Sequence, residues 1–407
     1  MNLEGIIMLL QFRIKNYKSI GEEVILDMTA GNGKELEHFV IEKNGVRILP
    51  IASIYGGNAS GKSNVIEALY AFVKTVNTST THEKDKNFPV TPFLFDEYLS
   101  KEPTEFEIHM VIDEKEYKYG YIATKNEILE EWLYEKKLSK STTNWKEIFE
   151  REKSKISYRD AAEYKKLDSY SNLIGNKMLA LSFLSKQKIN VFSLIYQFIG
   201  YFIYFDTKIF YKNAMKNEFA KGYFKSGILK SECVKFIKEF DPTFEDFIIK
   251  KELDAQGENK YKVFSIHNKK EYPLDIESEG SQKIFWTFII LYLSLNTEKS
   301  IIIFDELDCQ LHPLILRRIV RMFHDKNINK TNSQLIFTSH NLIILDNHEL
   351  RRDEIWFTEK DEKGLTSLYS LADFKTNEKD IRADLNYGKH YLAGRFGAIP
   401  YMNYKED

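Results

Sequence analysis

The chain has 407 residues, which is long enough to bury a large hydrophobic core in one to three domains. Its 58 basic and 60 acidic side chains give a formal net charge of −2, which excludes association with nucleic acid over the whole surface but not through a local basic patch. The two cysteines, Cys233 and Cys309, exclude a disulfide framework and a C-x-x-C zinc hook, and they fit a reducing cytoplasm.

Two apolar stretches are too short to span a bilayer. Ile6–Leu10 lacks the flanking residues of a signal peptide and continues into the first predicted strand. Phe192–Phe205 has 14 residues, and its serine, glutamine and tyrosines suit a buried helix and a strand edge. We therefore expect a cytoplasmic protein that makes no membrane contact.

The segment Gly56–Ser63 matches the phosphate-binding pattern G-x-x-x-x-G-K-[ST] at every fixed position. Ile48–Tyr55 before it is predicted to be a strand, and Asn64–Phe72 after it has the apolar spacing of a helix. In this context the glycines let backbone N–H groups surround a phosphate, and the helix N-terminus adds positive potential. The alternative interpretation is a glycine-rich turn in which the lysine occurs by chance. Such a turn would not need a strand directly before it and a helix directly after it.

The pattern assigns roles within this P-loop. Lys62 is expected to reach the β- and γ-phosphates of a nucleotide, and the Ser63 hydroxyl to bind Mg²⁺. The predicted nucleotide-binding residues are Gly56, Gly57, Asn58, Ala59, Ser60, Gly61, Lys62, Ser63 and Asn64.

The middle of the chain is predicted to begin with strands and to continue with helices. Thr104–Ala123 alternates apolar and polar residues about a turn, which predicts an antiparallel hairpin, and Trp132–Tyr134 and Trp145–Phe149 indicate further short strands. Ile156–Phe240 is rich in lysine and mostly of helical period, which indicates a helical lid or arm.

A lysine cluster lies within this helical stretch, in Lys221–Lys238. It indicates either a solvated helix face or a surface for nucleic acid or a partner. Phe244–Leu253 and Lys260–His267 then predict a second hairpin.

The segment Glu277–Lys283 precedes an apolar helix predicted over Ile284–Leu295. A serine and a glycine, Ser278 and Gly280, at a helix N-terminus can form a cap for an anion. The same residues also fit an ordinary capped helix start.

Carboxylates and a histidine follow two further apolar runs. The run Lys299–Glu306, which ends in two carboxylates, is typical of a strand buried on both faces of a parallel sheet, and Asp305 at its end is placed to hold Mg²⁺ through water. Glu306 is placed to act as general base, although a solvated acidic turn after a buried strand has the same pattern. His340 lies near the end of the second apolar run, Gln334–Asn341, and is expected to face the γ-phosphate at the carboxyl end of the sheet.

The order of these motifs resembles an ABC-type ATPase of the SMC, RecF and OLD group. It resembles more closely the stand-alone AAA family ATPases of phage-defence and abortive-infection loci, of the Rlo and AbiL type. The segments that carry the resemblance are Leu10–Ile20, Asp305–Asp308, Leu311–Pro313, Leu350–Phe357 and Tyr391–Pro400. The resemblance begins near Met8, which makes Met8 a second candidate for the start of translation.

The resemblance implies ATP and Mg²⁺ as cofactors. It also implies that Ser278 and Gly280 cap the γ-phosphate bound by the opposite subunit, so that a homodimer or a higher even oligomer forms around ATP. Two departures from the family pattern are Glu279, in place of the first signature glycine, and His312–Pro313, in place of the aspartate that ends the D-loop. No glutamine lies between Ser63 and Asn144, so no Q-loop is placed.

We therefore predict an α/β fold, namely a P-loop NTPase with an ABC-like split ATPase core, an antiparallel β arm and a helical insertion. The predicted domains are 1–135, with the P-loop and the hairpins; 136–243, the mainly helical insertion; and 244–407, the second part of the core. The core is expected to be split because the P-loop and Asp305, which share one Mg²⁺, are roughly 240 residues apart.

The expected function is that of an ATP-hydrolysing switch that senses phage infection and controls a separate effector, a nuclease from the same locus. About fifty residues follow Ile355, too few for a Toprim nuclease domain of the OLD kind. Two alternatives stay open: a DNA-repair or chromosome-associated ATPase of the RecF and SMC kind, and a self-contained ribonuclease toxin with its activity in the insertion.

Overall fold

The computed structural model describes residues 6–81, 87–138, 144–159, 167–205, 213–254, 256–374 and 386–400. The chain divides into two compact units. The first comprises Met1–Tyr204, Ile301–Phe304 and Gln334–Asp407, and the second comprises Phe205–Ser300 and Asp305–Ser333. Met1 and parts of the predicted insertion, residues 139–143, 160–166 and 206–212, lie outside the described residues.

The secondary structure contains both strands and helices. The strands are β1 (Ile7–Lys15), β2 (Val24–Asp27), β3 (Ile41–Lys43), β4 (Val46–Ile48), β5 (Ile51–Tyr55), β6 (Thr104–Ile112), β7 (Lys115–Ala123), β8 (Ile128–Lys137), β9 (Lys146–Glu152), β10 (Lys155–Tyr158), β11 (Phe202–Phe205), β12 (Asp246–Leu253), β13 (Asn259–His267), β14 (Lys270–Pro273), β15 (Ile301–Phe304), β16 (Gln334–Thr338), β17 (Ile355–Lys360) and β18 (Thr366–Ser370). The α-helices are α1 (Lys62–Thr78), α2 (Asp168–Ser171), α3 (Ala180–Lys186), α4 (Asn190–Gly200), α5 (Asn213–Lys225), α6 (Gly227–Lys238), α7 (Glu279–Asn296), α8 (Pro313–His324) and α9 (Tyr387–Leu392).

A six-stranded sheet has the strand order β11-β15-β16-β5-β17-β18. Strands β15, β16, β5 and β17 are parallel, and β18 is antiparallel to β17. Every residue of β5, β15 and β16 is buried, which is why these strands are continuous apolar runs rather than alternating ones. Strands from distant parts of the chain therefore share one sheet, and the predicted split core is confirmed.

A seven-stranded antiparallel sheet has the order β10-β9-β8-β7-β6-β1-β2. It confirms the predicted hairpin, formed by β6 and β7, and the two short strands, which are parts of β8 and β9. Helix α1 contacts β1 of this sheet and β16 of the other sheet. The Phe72 ring of α1 packs against Phe12, Phe106 and Tyr121 of the antiparallel sheet. One hydrophobic core thus includes both sheets and α1.

The predicted helical stretch Ile156–Phe240 is shared by the two units. Helices α3 and α4 pack in the core of the first unit, with Phe192 and Phe198 buried there, whereas α5 and α6 belong to the second unit. Strand β11 lies within the same stretch and joins the six-stranded sheet. The two units therefore divide the chain differently from the predicted parts 1–135, 136–243 and 244–407, because part of the insertion completes the first unit's core.

The second unit combines α5–α8 with a three-stranded antiparallel sheet, β12-β13-β14. The sheet contains the predicted second hairpin. The rings of Tyr223, Phe247 and Phe285 contact one another in the core of this unit. On its surface, Lys221, Lys230 and Lys235 form ion pairs with Glu218, Asp246 and Glu232, which favours the solvated helix face for the lysine cluster.

A buried ion pair fixes α3 to the antiparallel sheet. The Glu131 carboxylate is fully buried and accepts hydrogen bonds from the backbone N–H groups of Ala180 and Leu181, at 2.7 and 2.9 Å. Arg151 lies 3.6 Å from the Glu131 carboxylate and is also fully buried. Burial raises the pKa of Glu131, because a carboxylate in an apolar environment loses its hydration.

We predict that Arg151→Met lowers the free energy of unfolding by about 3–5 kcal/mol, because it leaves the Glu131 charge buried without its partner. Urea denaturation followed by circular dichroism measures the change. Arg159→Met is the control, with an expected loss of about 0–1 kcal/mol, since Arg159 is part-exposed and Lys115 still pairs with Glu135. Equal losses in the two variants would contradict a structural role for the buried pair.

Candidate nucleotide-binding site

The P-loop begins directly after β5 and ends at the start of α1. Pro50 separates β4 from β5, so the predicted strand Ile48–Tyr55 is interrupted there. Gly56 and Gly61 have φ values of 157° and 109°, which L side chains rarely adopt. A Cβ at Gly56 would also lie 2.5 Å from the Thr358 carbonyl oxygen. Both fixed glycines of the pattern are therefore required by the backbone.

Lys62 lies folded across the loop. Its side chain is buried, and Nζ donates hydrogen bonds to the carbonyl oxygens of Gly56 at 2.9 Å and Gly57 at 3.0 Å. These contacts hold the ammonium group against the loop. Phosphate oxygens can take the place of the two carbonyl oxygens as acceptors of its hydrogen bonds. Asn58 and Ala59, at the tip of the loop, are exposed, and Ser63 is half-buried in the first turn of α1.

A chain of hydroxyl groups supports the loop from outside the motif. The Thr366 hydroxyl donates to the Ser60 carbonyl at 3.0 Å and lies 2.7 Å from the Ser19 hydroxyl. Ser19 in turn accepts a hydrogen bond from the Asn64 side chain. The Ser60 hydroxyl lies 2.7 Å from that of Thr358. Residues of β17, β18 and the segment after β1 thereby fix both the loop and Asn64.

Ser19, Thr358 and Thr366 were not predicted from the sequence as site residues. Ser19 lies within the opening segment Leu10–Ile20, and Thr358 and Thr366 are buried positions of strands β17 and β18. A buried hydroxyl at a strand position was the available signal, because such a group needs a hydrogen-bond partner. The identity of that partner depends on the strand pairing, which the sequence does not state.

His340 lies close to the start of the P-loop in the fold. Thr338, the last residue of β16, pairs with Ile54 of β5, and the Ser339 N–H donates to the Ile54 carbonyl at 3.1 Å. His340 is the next residue and is exposed. The structure therefore brings the P-loop and His340 to the carboxyl ends of two neighbouring parallel strands.

Asp305 and Glu306 follow β15 directly and belong to the second unit. Asp305 is half-buried and Glu306 is exposed. Glu306 has a φ of 54°, and its carbonyl oxygen accepts the Cys309 N–H at 3.0 Å, so the chain turns sharply at this residue. This backbone geometry fits both of the alternatives predicted for Asp305 and Glu306, a solvated acidic turn and a catalytic pair.

Ser278 and Gly280 lie at the start of α7, which begins at Glu279 rather than at Ile284. Ser278 is the N-cap residue, and its hydroxyl accepts the Ser281 N–H at 3.1 Å. Gly280 is therefore in the first helical turn and not in a loop, because the cap starts the helix earlier than the apolar run does. This is the geometry of an ordinary capped helix start, and it leaves Ser278 exposed at a helix N-terminus.

The C-terminal segment, Tyr387–Pro400, packs on the P-loop. The Gly57 N–H donates to the Ala398 carbonyl at 2.8 Å, and the Tyr391 hydroxyl donates to the same oxygen at 2.9 Å. A Cβ at Gly57 would lie 3.0 Å from the Pro400 nitrogen. Part of this segment carries the family resemblance, but its contact with the loop was not predicted from the sequence.

The donor groups fit a magnesium nucleotide. At the P-loop, the Ser63 hydroxyl is a hard oxygen ligand of the kind that Mg²⁺ prefers, and the Lys62 ammonium and the α1 N-terminus favour phosphate. In the second unit, the Asp305 carboxylate is a ligand of the same chemical kind. Within the part of the chain that the structure describes, no group of three or more His, Cys, Asp or Glu side chains is placed to hold a metal ion. None of the described helices is long and apolar enough to cross a membrane.

A glycine loop between a buried parallel strand and a helix, with its lysine held against the loop, defines a P-loop protein of the α/β class. The chain belongs to the family described as "AAA domain, putative AbiEii toxin, Type IV TA system", whose model matches residues 51–346. The matched region begins at β5 and extends beyond His340. It includes the P-loop, the start of α7 and the carboxylates after β15.

Solved structures that are similar to the chain include SMC head domains. The SMC head bound to the C-winged helix domain of ScpA has 12% identity and a TM-score of 0.41, with 91% of this chain and 98% of that chain covered. The SMC head domain from Thermotoga maritima has 13% identity and a TM-score of 0.38, with 89% and 98% covered. No curated protein matches the sequence.

We predict that Gly61→Ala weakens ATP binding at least about tenfold. A Cβ at a φ of 109° is strained and overlaps the Thr366 side chain, whose hydrogen bond to the Ser60 carbonyl must then break. Titration calorimetry with Mg-ATP measures the change. Gly200→Ala is the matched control and is expected to bind as the wild type does, because no atom lies within 4 Å of the added Cβ. Unchanged affinity in Gly61→Ala would contradict the assignment of the loop.

Proposed function

We propose that the chain binds ATP with Mg²⁺ at the P-loop and hydrolyses the ATP. The observation that carries this proposal is the Lys62 ammonium, held at 2.9 and 3.0 Å from two loop carbonyls beside the N-terminus of α1. On binding, Lys62 exchanges these carbonyls for the β- and γ-phosphates. Ser63 and Asp305 would hold the Mg²⁺ ion, which would neutralise charge on the phosphates.

Glu306 is proposed as the general base of hydrolysis. Its carboxylate accepts a proton from the attacking water as the water oxygen bonds to the γ-phosphorus and the bond to the ADP oxygen breaks. His340, from the neighbouring strand end, donates a hydrogen bond to the γ-phosphate. Family membership supports the ATPase class, because the matched region contains all these residues.

We further propose that ATP assembles two copies of the chain. The exposed Ser278 hydroxyl, together with Gly280 and the N-terminus of the 18-residue α7, is suited to an anion that arrives from outside the chain. The γ-phosphate held by a second copy is that anion. A homodimer or a higher even oligomer would then close around ATP and open after hydrolysis.

We predict that Glu306→Gln binds ATP without turnover and shifts from monomer to dimer, or to a larger even species, when Mg-ATP is added. The amide keeps the shape of the carboxylate but cannot accept the proton. Light scattering coupled to size exclusion measures the mass, and phosphate release measures turnover.

Lys62→Ala is the paired control, and it is expected to stay monomeric at the same ATP concentration because it loses the phosphate contacts. An unchanged monomer for Glu306→Gln with bound ATP would show that Ser278 and Gly280 form a capped helix start and no more. Normal hydrolysis by Glu306→Gln would show that Glu306 is not the base.

The biological role that we propose is control of a separate effector nuclease in an antiphage, abortive-infection system of the Rlo and AbiL type. The family description names an abortive-infection toxin, which supports a role in such systems. The C-terminal segment, which contacts the P-loop through Gly57, offers a partner a direct route to the nucleotide site.

A toxin is the second candidate, because the family description itself names one. In that case the chain acts without an effector and cleaves RNA itself. A DNA-bound ATPase of the RecF and SMC kind would instead bind DNA with a strong dependence on salt.

We predict that Glu306→Gln with Mg-ATP retains the product of a neighbouring gene on an affinity column, and that Lys62→Ala retains at least about tenfold less, because only the closed form presents the effector surface. Mass spectrometry identifies the retained protein, and nuclease assays of the pair and of each protein alone follow. Cleavage of tRNA by the purified chain alone would contradict the effector proposal and favour the toxin.

A further inference from the structure

The Lys283 side chain occupies a cluster of backbone carbonyls in the second unit. Its Nζ lies 2.6 Å from the carbonyl oxygen of Cys309, 3.1 Å from that of Leu307 and 3.4 Å from that of Glu306. An ammonium group has three donors and no acceptor, so one buried lysine serves three acceptors. Lys283 is 6% exposed, and burial lowers its pKa.

The backbone of the Glu306 segment, Glu306–Gln310, explains why these carbonyls converge. Glu306 and Gln310 have φ values of 54° and 61°, and the Cys309 N–H bonds to the Glu306 carbonyl. Two of the five residues have a left-handed backbone conformation, and this folds the segment into tight turns. Carbonyls that would diverge in an extended chain therefore point toward Lys283.

Two further contacts join the same segment to the start of α7. The Gln310 side-chain amide donates to the Glu279 carboxylate at 2.7 Å. The Gly280 backbone approaches so closely that a Cβ there would lie 2.8 Å from the Gln310 carbonyl. Gly280 is thus required for packing against the Glu306 segment, independently of any phosphate.

We propose that Lys283 is a positioning residue that holds Glu306 in place and couples it to Ser278 and Gly280. This inference rests on the proposed function, in which Glu306 is the base and the α7 start receives the second copy's γ-phosphate. Lys283 lies one turn beyond Gly280 on the same helix. A displacement of the α7 start on phosphate binding is therefore transmitted to the backbone of Glu306, and hydrolysis in one copy responds to ATP in the other.

The test is steady-state ATP hydrolysis by Lys283→Met, which keeps the length of the side chain and removes its three donors. We expect kcat to fall about 10- to 100-fold, as misplacement of a catalytic group does, and the KM for ATP to change less than about threefold. ATP-dependent dimerisation is expected to persist. Lys283→Arg, which restores donors, is expected to recover part of kcat.

Lys235→Met is the control, since Lys235 is an exposed lysine of the same unit, and its kcat is expected to equal that of the wild type. Gln310→Ala removes the exposed bond to Glu279 and is expected to lower kcat severalfold without affecting folding, so it tests the inference if Lys283→Met fails to fold.

A kcat of Lys283→Met within twofold of the wild type overturns the inference, as does a loss of dimerisation or of ATP affinity equal to the loss of kcat. A wild-type protein that binds ATP but never hydrolyses it refutes the proposed function instead. A normal wild type with a selective kcat defect in Lys283→Met supports both.

Discussion

The burial of α1 against two sheets is the constraint on which the rest of the first unit depends. Phe72 contacts rings of the antiparallel sheet, and the same helix contacts β16 of the parallel sheet. Because interiors are close-packed, a helix held on both faces has little freedom to shift. The first turn of α1 is also the end of the P-loop, so the packing of apolar side chains fixes the place where a phosphate would bind. The hydrophobic core thus anchors the helical end of the P-loop.

The loop itself is held by polar contacts from segments that are far apart in the chain. Thr358, Thr366 and Ala398 reach it through hydrogen bonds, and Ser19 lies within hydrogen-bond distance of Thr366. Each bond is individually worth about 0.5–1.5 kcal/mol, but together they join the beginning and the end of the unit at one point. The second unit shows the corresponding arrangement at Lys283, whose side chain binds the carbonyl oxygens of Leu307 and Cys309, just after the Asp305–Glu306 pair. In both units a short sequence motif is held in place by groups outside it.

The elements that could be predicted from sequence are those whose signal is local. The P-loop pattern, the apolar runs of β15 and β16 and the alternation of β6 and β7 each follow from the periodicity of a few residues. The hydroxyl chain and the carbonyl cluster at Lys283 could not be predicted, because they depend on which strands and turns meet in three dimensions. The start of α7 was misplaced because an apolar run marks the buried part of a helix, whereas Ser278 caps it well before that part. Part of the helical insertion completes the first unit's core, and local periodicity carries no information about which core a helix joins.

The parallel sheet has a consequence for synthesis on the ribosome. Both neighbours of β5 in the sheet, β16 and β17, begin at Gln334 and Ile355, so the P-loop strand stays unpaired until most of the chain has been made. The antiparallel sheet, by contrast, is complete once Tyr158 has emerged. A nascent chain of this protein therefore leaves the backbone N–H and C=O groups of β5 without strand partners for tens of seconds at ordinary rates of translation, roughly 5–20 residues per second. During that interval α1 can cover the strand from the side of the early sheet, and chaperones have their longest opportunity to bind.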